Sequence, residues 1–365
     1  MVEWKKLGEV CEILDYLRKP VAKEKRNMGI YPYYGANGIQ DYVEDYIFDG
    51  TYLLVGEDGS VINADKSPIL HWTTGKIWVN NHAHVLGETS VAPLRYILYA
   101  LQCTDVSDIV RGTPPKINQA NLRNIQIPLP SLSEQSRIVS ILDTFTSSIS
   151  NLKQQIEERR KQYEYERDLL LDLEGKEGVE MKKLGEVCEI FDGTHQTPNY
   201  IDSGIRFVSV ENINNLYTSN KYISRKDYEL NYKTKPQRND VLMTRIGDVG
   251  TCAVINSDEP IAFYVSLSLL RPNKDYIISK FMKFLLESQT GRKEIRKRTL
   301  LTAVPLKINL GDIGKLTLPM PCLTTQQRIV SILDTFEASI KNLEEQLALR
   351  EKQYEYYRNQ LLTFE

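Results

Sequence analysis

Between residues 133 and 172 the chain contains neither proline nor glycine, and apolar residues recur at Ile138, Leu142, Phe145, Ile149, Leu152 and Ile156. Alternating steps of four and three are the seam of a coiled coil, so the spacing predicts one long helix. The register returns at Ile329, Leu333, Phe336, Ile340, Leu343 and Leu347, and farther along Tyr163 and Leu170 match Tyr354 and Leu361. Forty residues of helix span roughly 60 Å at the usual rise. The middle of each helix is polar, around Arg159, Arg160 and Arg350. Pro128 and Pro130, then Pro319 and Pro321, stop the preceding strands. Ser131 to Glu134 and Thr324 to Gln327 each fit a capping box, at positions that do not correspond, so the helix starts are fixed to within a turn.

Elsewhere the pattern changes to short β-rich runs (Tyr52 to Val55, Ile77 to Val79, Ile205 to Val210, Asp240 to Thr244, Cys252 to Ile255) separated by turn signals such as Asn37-Gly38 and Asp58-Gly59. Helical stretches stand at Pro93 to Gln102 and Ser279 to Arg298. Each such region reads as a mixed α/β globule with a twisted, partly antiparallel sheet.

Self-comparison organises the whole chain. Lys5 to Ile13 returns unchanged as Lys182 to Ile190, an offset of 177 residues, and Arg137 to Phe145 returns unchanged as Arg328 to Phe336, an offset of 191. Lys161 to Tyr165 returns as Lys352 to Tyr356. The order is A-B-A′-B′, with helices that match and globules that diverge, which points to a shared task for the former and separate specificities for the latter. Because the first helix ends beside the second globule, the second helix can pair with it only by running back. The expected class is therefore α/β (α+β): two mixed domains joined by two long antiparallel coiled-coil helices related by a pseudo-two-fold repeat. Residues 1–132 and 182–322 form the domains, 133–173 and 323–365 the helical spacers, and 174–181 a flexible connector.

Composition narrows the class without naming a function. At 365 residues, 41% hydrophobic and 26% charged, the chain is long enough for two or three domains and is not disordered. Glu3, Lys5, Lys6 and Glu9 interrupt any apolar leader, and no run approaches the length of a membrane span, which places the chain in the cytoplasm. The five cysteines (Cys11, Cys103, Cys188, Cys252, Cys322) are far apart and read as reduced, buried thiols. The formal net charge of −2 resolves by region into −2 for 1–132, −4 for 133–180, +6 for 181–322 and −2 for 323–365. The basic excess lies in the second domain, a hint of a polyanionic partner there.

No Gly-x-x-x-x-Gly-Lys-Ser/Thr cradle for ATP and no Asn-Pro-Pro-Tyr segment of a DNA amino-methyltransferase occur in the chain. His82 and His84 are the only close histidine pair. Alternation would put both on one strand face with no further metal ligand in sequence, so hydrogen-bonding or DNA-facing histidines are the better reading. Gly56-Glu57-Asp58-Gly59 and Asp192 to His195 resemble catalytic clusters but read as turns or binding loops. No catalytic residue and no metal site is expected.

Affinity for DNA comes from cations near phosphates, and sequence reading from polar groups in grooves. Arg292, Lys293, Arg296, Lys297 and Arg298 form the densest cationic run, beside Thr299 to Thr302; the plain alternative is a solvated helix face. Arg111, Thr113 and Lys116 lie in a segment that corresponds to Thr302 through Asn309, which contains Lys307; the alternative is a loop that starts the last strand. Candidate base readers are Arg18, Tyr34, Asn37, Glu57, Asp58 and His82 in the first domain, and His195, Gln196, Thr197 and Arg245 in the second. A tyrosine such as Tyr34 more often belongs to a core.

Lys-Leu-Gly-Glu-Val-Cys at the start, Pro32 to Ile39, Gly56 to Gly59 and the Pro-Leu-Pro-x-Leu-x-Glu-Gln-x-Arg-Ile-Val run before the long helix resemble the type I restriction-modification specificity subunits. Asp192 to His195, Phe207 to Val210 and Asp240 to Gly247 are similar to that family's recognition domains. The resemblance covers nearly the whole chain. It implies a non-catalytic reader of a bipartite double-stranded DNA target, one half-site per domain, with the helices setting the gap. It further implies two methyltransferase subunits using S-adenosylmethionine and two restriction subunits using ATP and magnesium, with no cofactor held by this chain. Val139, Ile141, Val330 and Ile332 are apolar and off the seam, so they could form a repeated docking patch or equally pack on the domains. The competing readings are a coiled-coil scaffold without nucleic acid and an autonomous DNA-modifying enzyme with a divergent site.

Overall fold

The computed structural model describes residues 2–364 and divides into two compact units, residues 1–153 with 345–365 and residues 154–344. The first unit centres on a six-stranded sheet in the order Glu12–Ile13, Ala83–Gly87, Phe48–Gly56, Leu70–Val79, Met28–Gly35, Gly38–Val43. It is mixed: Tyr33 and Tyr34 pair in parallel with Trp78 and Val79, whereas the other pairings are antiparallel. The second unit holds a four-stranded antiparallel sheet, Cys188–Asp192, Leu267–Pro272, Val241–Thr244, Cys252–Val254, and a three-stranded one built on Ile205–Val208.

Three strands repeat with the same register. Ile13 faces Leu86, which faces Leu53, and Ile190 faces Leu270, which faces Val241. Each unit also ties its first strand to its last, Glu3–Lys6 to Gln126–Leu129 and Glu180–Lys183 to Thr317–Met320. Both units are therefore mixed α/β domains linked by long helices.

The helices run Leu132–Leu171 and Leu323–Leu362, at corresponding positions. This corrects the second capping box: Cys322, not Thr324, stands where Ser131 stands, with its thiol beside the Thr325 hydroxyl at 3.4 Å. A feature the sequence did not advertise locks both starts, since Gln135 and Gln326 are buried and each donates to the proline carbonyl five residues back at 2.9 Å.

Within the first unit, the beginning of the first helix packs against the end of the second: Phe145 stacks on Tyr357 at 5.3 Å, and Arg350 lies over Phe145. Within the second unit the end of the first helix meets the beginning of the second, with Arg159 over Phe336 and Arg160 paired to Glu344 at 2.5 Å. The helices are thus antiparallel. The seam changes character along its length, because Ile138 and Leu142 join Leu53, Tyr96, Tyr99 and Leu362 in the first core, while Ile329, Val330 and Leu333 join Phe281, Phe284 and Leu171 in the second.

Three local expectations change. The stretch from Ser279 is two helices, Ser279–Glu287 and Gln289–Arg298, since buried Ser288 caps the second by accepting from Gly291 N. The connector is turned rather than loose: Lys176 N donates to Leu173 O and Val179 N to Lys176 O, with Leu173 and Val179 packed on the second core. Cys103 and Cys322 are exposed because one follows a helix end and the other caps a surface helix, while burial pushes the Cys11 and Cys188 thiols up to about 12. No helix among the described residues is long and apolar enough to cross a membrane.

Candidate nucleic-acid interface

At the end of each repeated sheet, two segments far apart in sequence meet through the same backbone bonds, and a third joins them through an aspartate side chain. In the first unit the Glu57 carbonyl accepts from Ile117 N at 2.9 Å, Gly59 N donates to Pro115 O, and Asp58 bridges Lys116. In the second, the Arg245 carbonyl accepts from Ile308 N at 3.0 Å, Gly247 N donates to Leu306 O, and Ile246 bridges Lys307. Glu57 and Arg245 therefore occupy one structural position. The third segment brings Asp15 and Asp192, which are related by the 177-residue offset, as are Arg18 and His195.

The first frame is filled by a dense ionic network. Arg18 binds Glu57 Oε2 at 2.5 Å, Asp15 Oδ2 at 3.3 Å and the Ala83 carbonyl at 2.8 Å. Lys116 reaches Glu57 Oε1 at 3.0 Å, and Gln119 donates to Asp15 at 3.0 Å. His84, fully buried, hydrogen-bonds Asp15 Oδ2 through Nδ1 at 2.6 Å and the Ile117 carbonyl through Nε2 at 2.8 Å. Burial alone would raise the Asp15 carboxyl, but the hydrogen bond and charge of His84, the charge of Arg18 and the Val85 amide hold it below the usual range. Burial likewise opposes ionisation of Glu57, and Arg18, His84 and Lys116 together hold it down.

Both ring nitrogens are engaged, Nδ1 by the Asp15 carboxylate and Nε2 by the Ile117 carbonyl. Asp15, Glu57 and His84 lie close enough to suggest a metal. The cluster is built as an ion-pair network rather than as a metal site, because both ring nitrogens are already hydrogen-bonded and the carboxylates already face Arg18 and Lys116. His82 is separate from His84: it is exposed and bonds Asp58.

The second frame is leaner. Arg245, buried, binds Asp192 Oδ1 at 2.8 Å and the Val265 carbonyl at 2.8 Å, and exposed His195 donates to Asp192 Oδ2 at 2.9 Å. Where the first unit has His84 opposite Val55, the second has Ser268 opposite Met243, also buried and uncharged. Lys307 is exposed and, unlike Lys116, pairs with no carboxylate among the described residues. The helix Gln289–Arg298 reaches this region through Ile295, whose side-chain tip would lie 2.9 Å from a Cβ at Gly250, and the φ of +103° there favours glycine.

The sequence candidates now sort by position. Arg18, Glu57, Asp58, His82 and Lys116 converge in one place, as do His195 and Arg245. Asn37 is exposed at a hairpin tip, whereas Tyr34 is half-buried beside Phe48 and Val79, its hydroxyl pushed up by burial and by Tyr42. Arg111 and Thr113 are exposed on the loop that ends at Lys116, and Gln196 and Thr197 on the loop after His195. On the basic helix, Lys293 and Arg296 project into solvent, Arg292 bonds the Glu287 carbonyl at 2.9 Å, Lys297 bonds Glu294, and Arg298 is half-buried.

Of the four apolar positions on the long helices, Val330 is 3% exposed inside the second core and Val139 packs on the first, so for these two the packing alternative holds. Ile141 is half-buried and Ile332 is 37% exposed. Sequence reasoning missed Asp15 and Gln119; His84 it singled out as a hydrogen-bonding or DNA-facing histidine, and the structure shows it hydrogen-bonded. The repeat carried the signal for Asp15, since the identity between copies resumes there after one mismatch.

The family described as the type I restriction modification DNA specificity domain matches residues 1–159 and again 176–349. The chain belongs to the type I restriction-modification specificity subunits. A Haemophilus influenzae protein described as a type I restriction enzyme specificity subunit is 31% identical over the whole of this chain and 96% of its own length. The specificity subunit of an Escherichia coli type I restriction enzyme is 27% identical, covering 100% of this chain and 94% of that protein. The crystal structure of an S subunit from M. genitalium superposes with a TM-score of 0.65 at 15% identity, over 100% of this chain and 97% of that one. The role of this specificity subunit is DNA specificity without catalysis.

Proposed function

We propose that each unit of this specificity subunit reads one half of a bipartite duplex target while the paired helices set the gap and carry two methyltransferase subunits. Two restriction subunits, which use ATP and magnesium, join that assembly in the cytoplasm. The observation that carries this reading is the pair of matched frames: identical backbone bonding around Glu57 and Arg245, with different side chains at every variable position. A constant scaffold bearing divergent polar groups is what two different half-sites require. Residues 1–132 and 182–322 are the recognition domains, and the helical segments 133–173 and 323–365, joined through 174–181, are the spacers.

In this reading Arg18, Glu57 and Arg245 are positioning residues, too deeply paired to reach a base edge. Asn37, Asp58, His82, Arg111, Thr113 and Lys116 face the first half-site, and His195, Gln196, Thr197 and Lys307 the second. Arg292, Lys293, Arg296, Lys297 and Arg298 supply phosphate contacts. Exposed Ile332, with Ile141, marks the repeated methyltransferase surface. The test is methylome sequencing of cells carrying the chain with its cognate methyltransferase, before and after exchange of residues 1–132 for those of a relative. One half of a split motif is expected to change while the other half and the gap persist; an unchanged motif overturns the reading.

A further inference from the structure

The loop that closes each frame is pinned at both ends by a β-bridge, Arg111 to Lys116 in the first unit and Leu300 to Lys307 in the second. The first loop is hydrophilic and short. The second is two residues longer between its bridges, and it turns its apolar side chains outward: Val304 is 99% exposed, Leu301 56%, Leu306 41% and Leu300 40%. It is not a loose strand, since Leu300 N bonds Lys307 O at 2.8 Å and Ala303 N bonds Leu300 O at 3.2 Å. Cations flank it in the chain: exposed Arg296, with Lys297 that also pairs with Glu294, stands on the turn of helix that leads into it, and exposed Lys307 stands at its foot.

An apolar tip flanked by cations does not suit a free phosphate, which would bind the cations and leave the tip in water. It suits a polyanion that offers apolar groups between its charges. Duplex DNA does so in the major groove, where thymine alone presents a methyl group. We infer that this loop enters the major groove of the second half-site and that Val304, seconded by Leu301, reads a thymine methyl. The inference rests on the DNA-reading function proposed above.

Once the methylome gives the second half-site, the assembled methyltransferase complex is titrated with duplexes in which each thymine there is replaced in turn by uracil, which lacks only the methyl. At one position the substitution is expected to weaken binding about fourfold, the worth of one buried methyl group. In Val304→Ala the same uracil is expected to cost nothing further, with the thermal midpoint unchanged because the side chain is in solvent. Uracil without effect at every position, a penalty that persists in both Val304→Ala and Leu301→Ala, or a half-site without thymine on either strand overturns the inference. So does loss of the methyltransferase subunits from Val304→Ala, which would make the loop a protein contact. In each of those outcomes salt-dependent duplex binding and a split motif still stand; their absence would instead sink the DNA-reading function itself.

Discussion

The two frames hold the same backbone with opposite charge at its centre. Glu57 in the first unit is an anion gripped by Arg18, Lys116 and His84; Arg245 in the second is a cation gripped by Asp192. What stays constant is an aspartate, Asp15 or Asp192, and the main-chain bonds that bring two distant segments together. The side chains filling the frame can therefore change sign without changing the fold, provided that their partners change with them. A domain built this way can diverge in what it reads while its attachment to the helices stays fixed.

The first way to break that comparison is to remove the central charge. Glu57→Ala leaves Arg18, His84 and Lys116 without their shared anion, and is expected to cost about 3–5 kcal/mol, the usual penalty for breaking a buried pair. Arg245→Ala leaves one half-buried carboxylate that keeps His195, at a cost of about 1–3 kcal/mol. Denaturant unfolding measures both, and equal losses would erase the distinction. A sharper version transplants the second frame into the first. Glu57→Arg alone is expected to be at least as damaging as Glu57→Ala, whereas adding Arg18→His and His84→Ser, the residues at the matching positions of the second unit, should recover most of the loss.

Acid provides the next test. The folded-state pKa values of Asp15 and Glu57 lie below their ordinary ones, so their contribution is present above the unfolded carboxylate range, about pH 4, and disappears as pH falls through the lower folded values. Hydrogen exchange of the Ala83–Gly87 amides is expected to accelerate below about pH 4 in wild type, relative to that of the Leu267–Pro272 amides. Parallel acceleration of both strands would show that the network confers no special acid sensitivity.

Salt dependence then separates the two lysines. Lys116 is occupied by Glu57, while Lys307 is exposed and pairs with no carboxylate among the described residues. Lys307→Ala is expected to lower the slope of log K against log salt by about one, and Lys116→Ala by much less. The same logic assigns more of the phosphate affinity to the second unit, where the sequence concentrates its positive charge. A larger slope change from Lys116→Ala would reverse that assignment.

How much of this was readable beforehand follows from the range of each interaction. The long helices and their antiparallel course were legible because a heptad repeats over forty residues and the copy order permits only one pairing. The break at Ser288 was not, because a serine that caps a helix is ambiguous until its neighbours are placed. Arg18, Glu57 and Lys116 were each chosen as separate DNA contacts; their convergence was hidden because the segments are joined only by the fold. The partner of His84 was hidden for the same reason, Asp15 lying 69 residues away in the chain. Identity between the repeats was the one local trace of Asp15.

The helices themselves offer the smallest effect and a check on the symmetry. By the 191-residue offset Lys153 corresponds to Glu344 and Arg160 to Glu351. The structure pairs Lys153 with Glu351 at 3.0 Å and Arg160 with Glu344 at 2.5 Å, so both cations sit on the first helix and both anions on the second. The two apolar seams are nearly identical and would accept a like helix as readily as the unlike one. Opposite charges at matched positions instead favour the pairing of first with second. Both pairs are exposed, so Arg160→Ala or Lys153→Ala is expected to cost only about 0.2–1 kcal/mol, and less at high salt. Glu344→Lys together with Glu351→Lys sets like charges against each other and should lower the thermal midpoint further. Adding Lys153→Glu and Arg160→Glu then restores opposition and should recover it. If the fourfold reversal stays as destabilised as the double one, the charges do not choose the partner, and the choice rests on the cores that Leu171 and Leu362 enter.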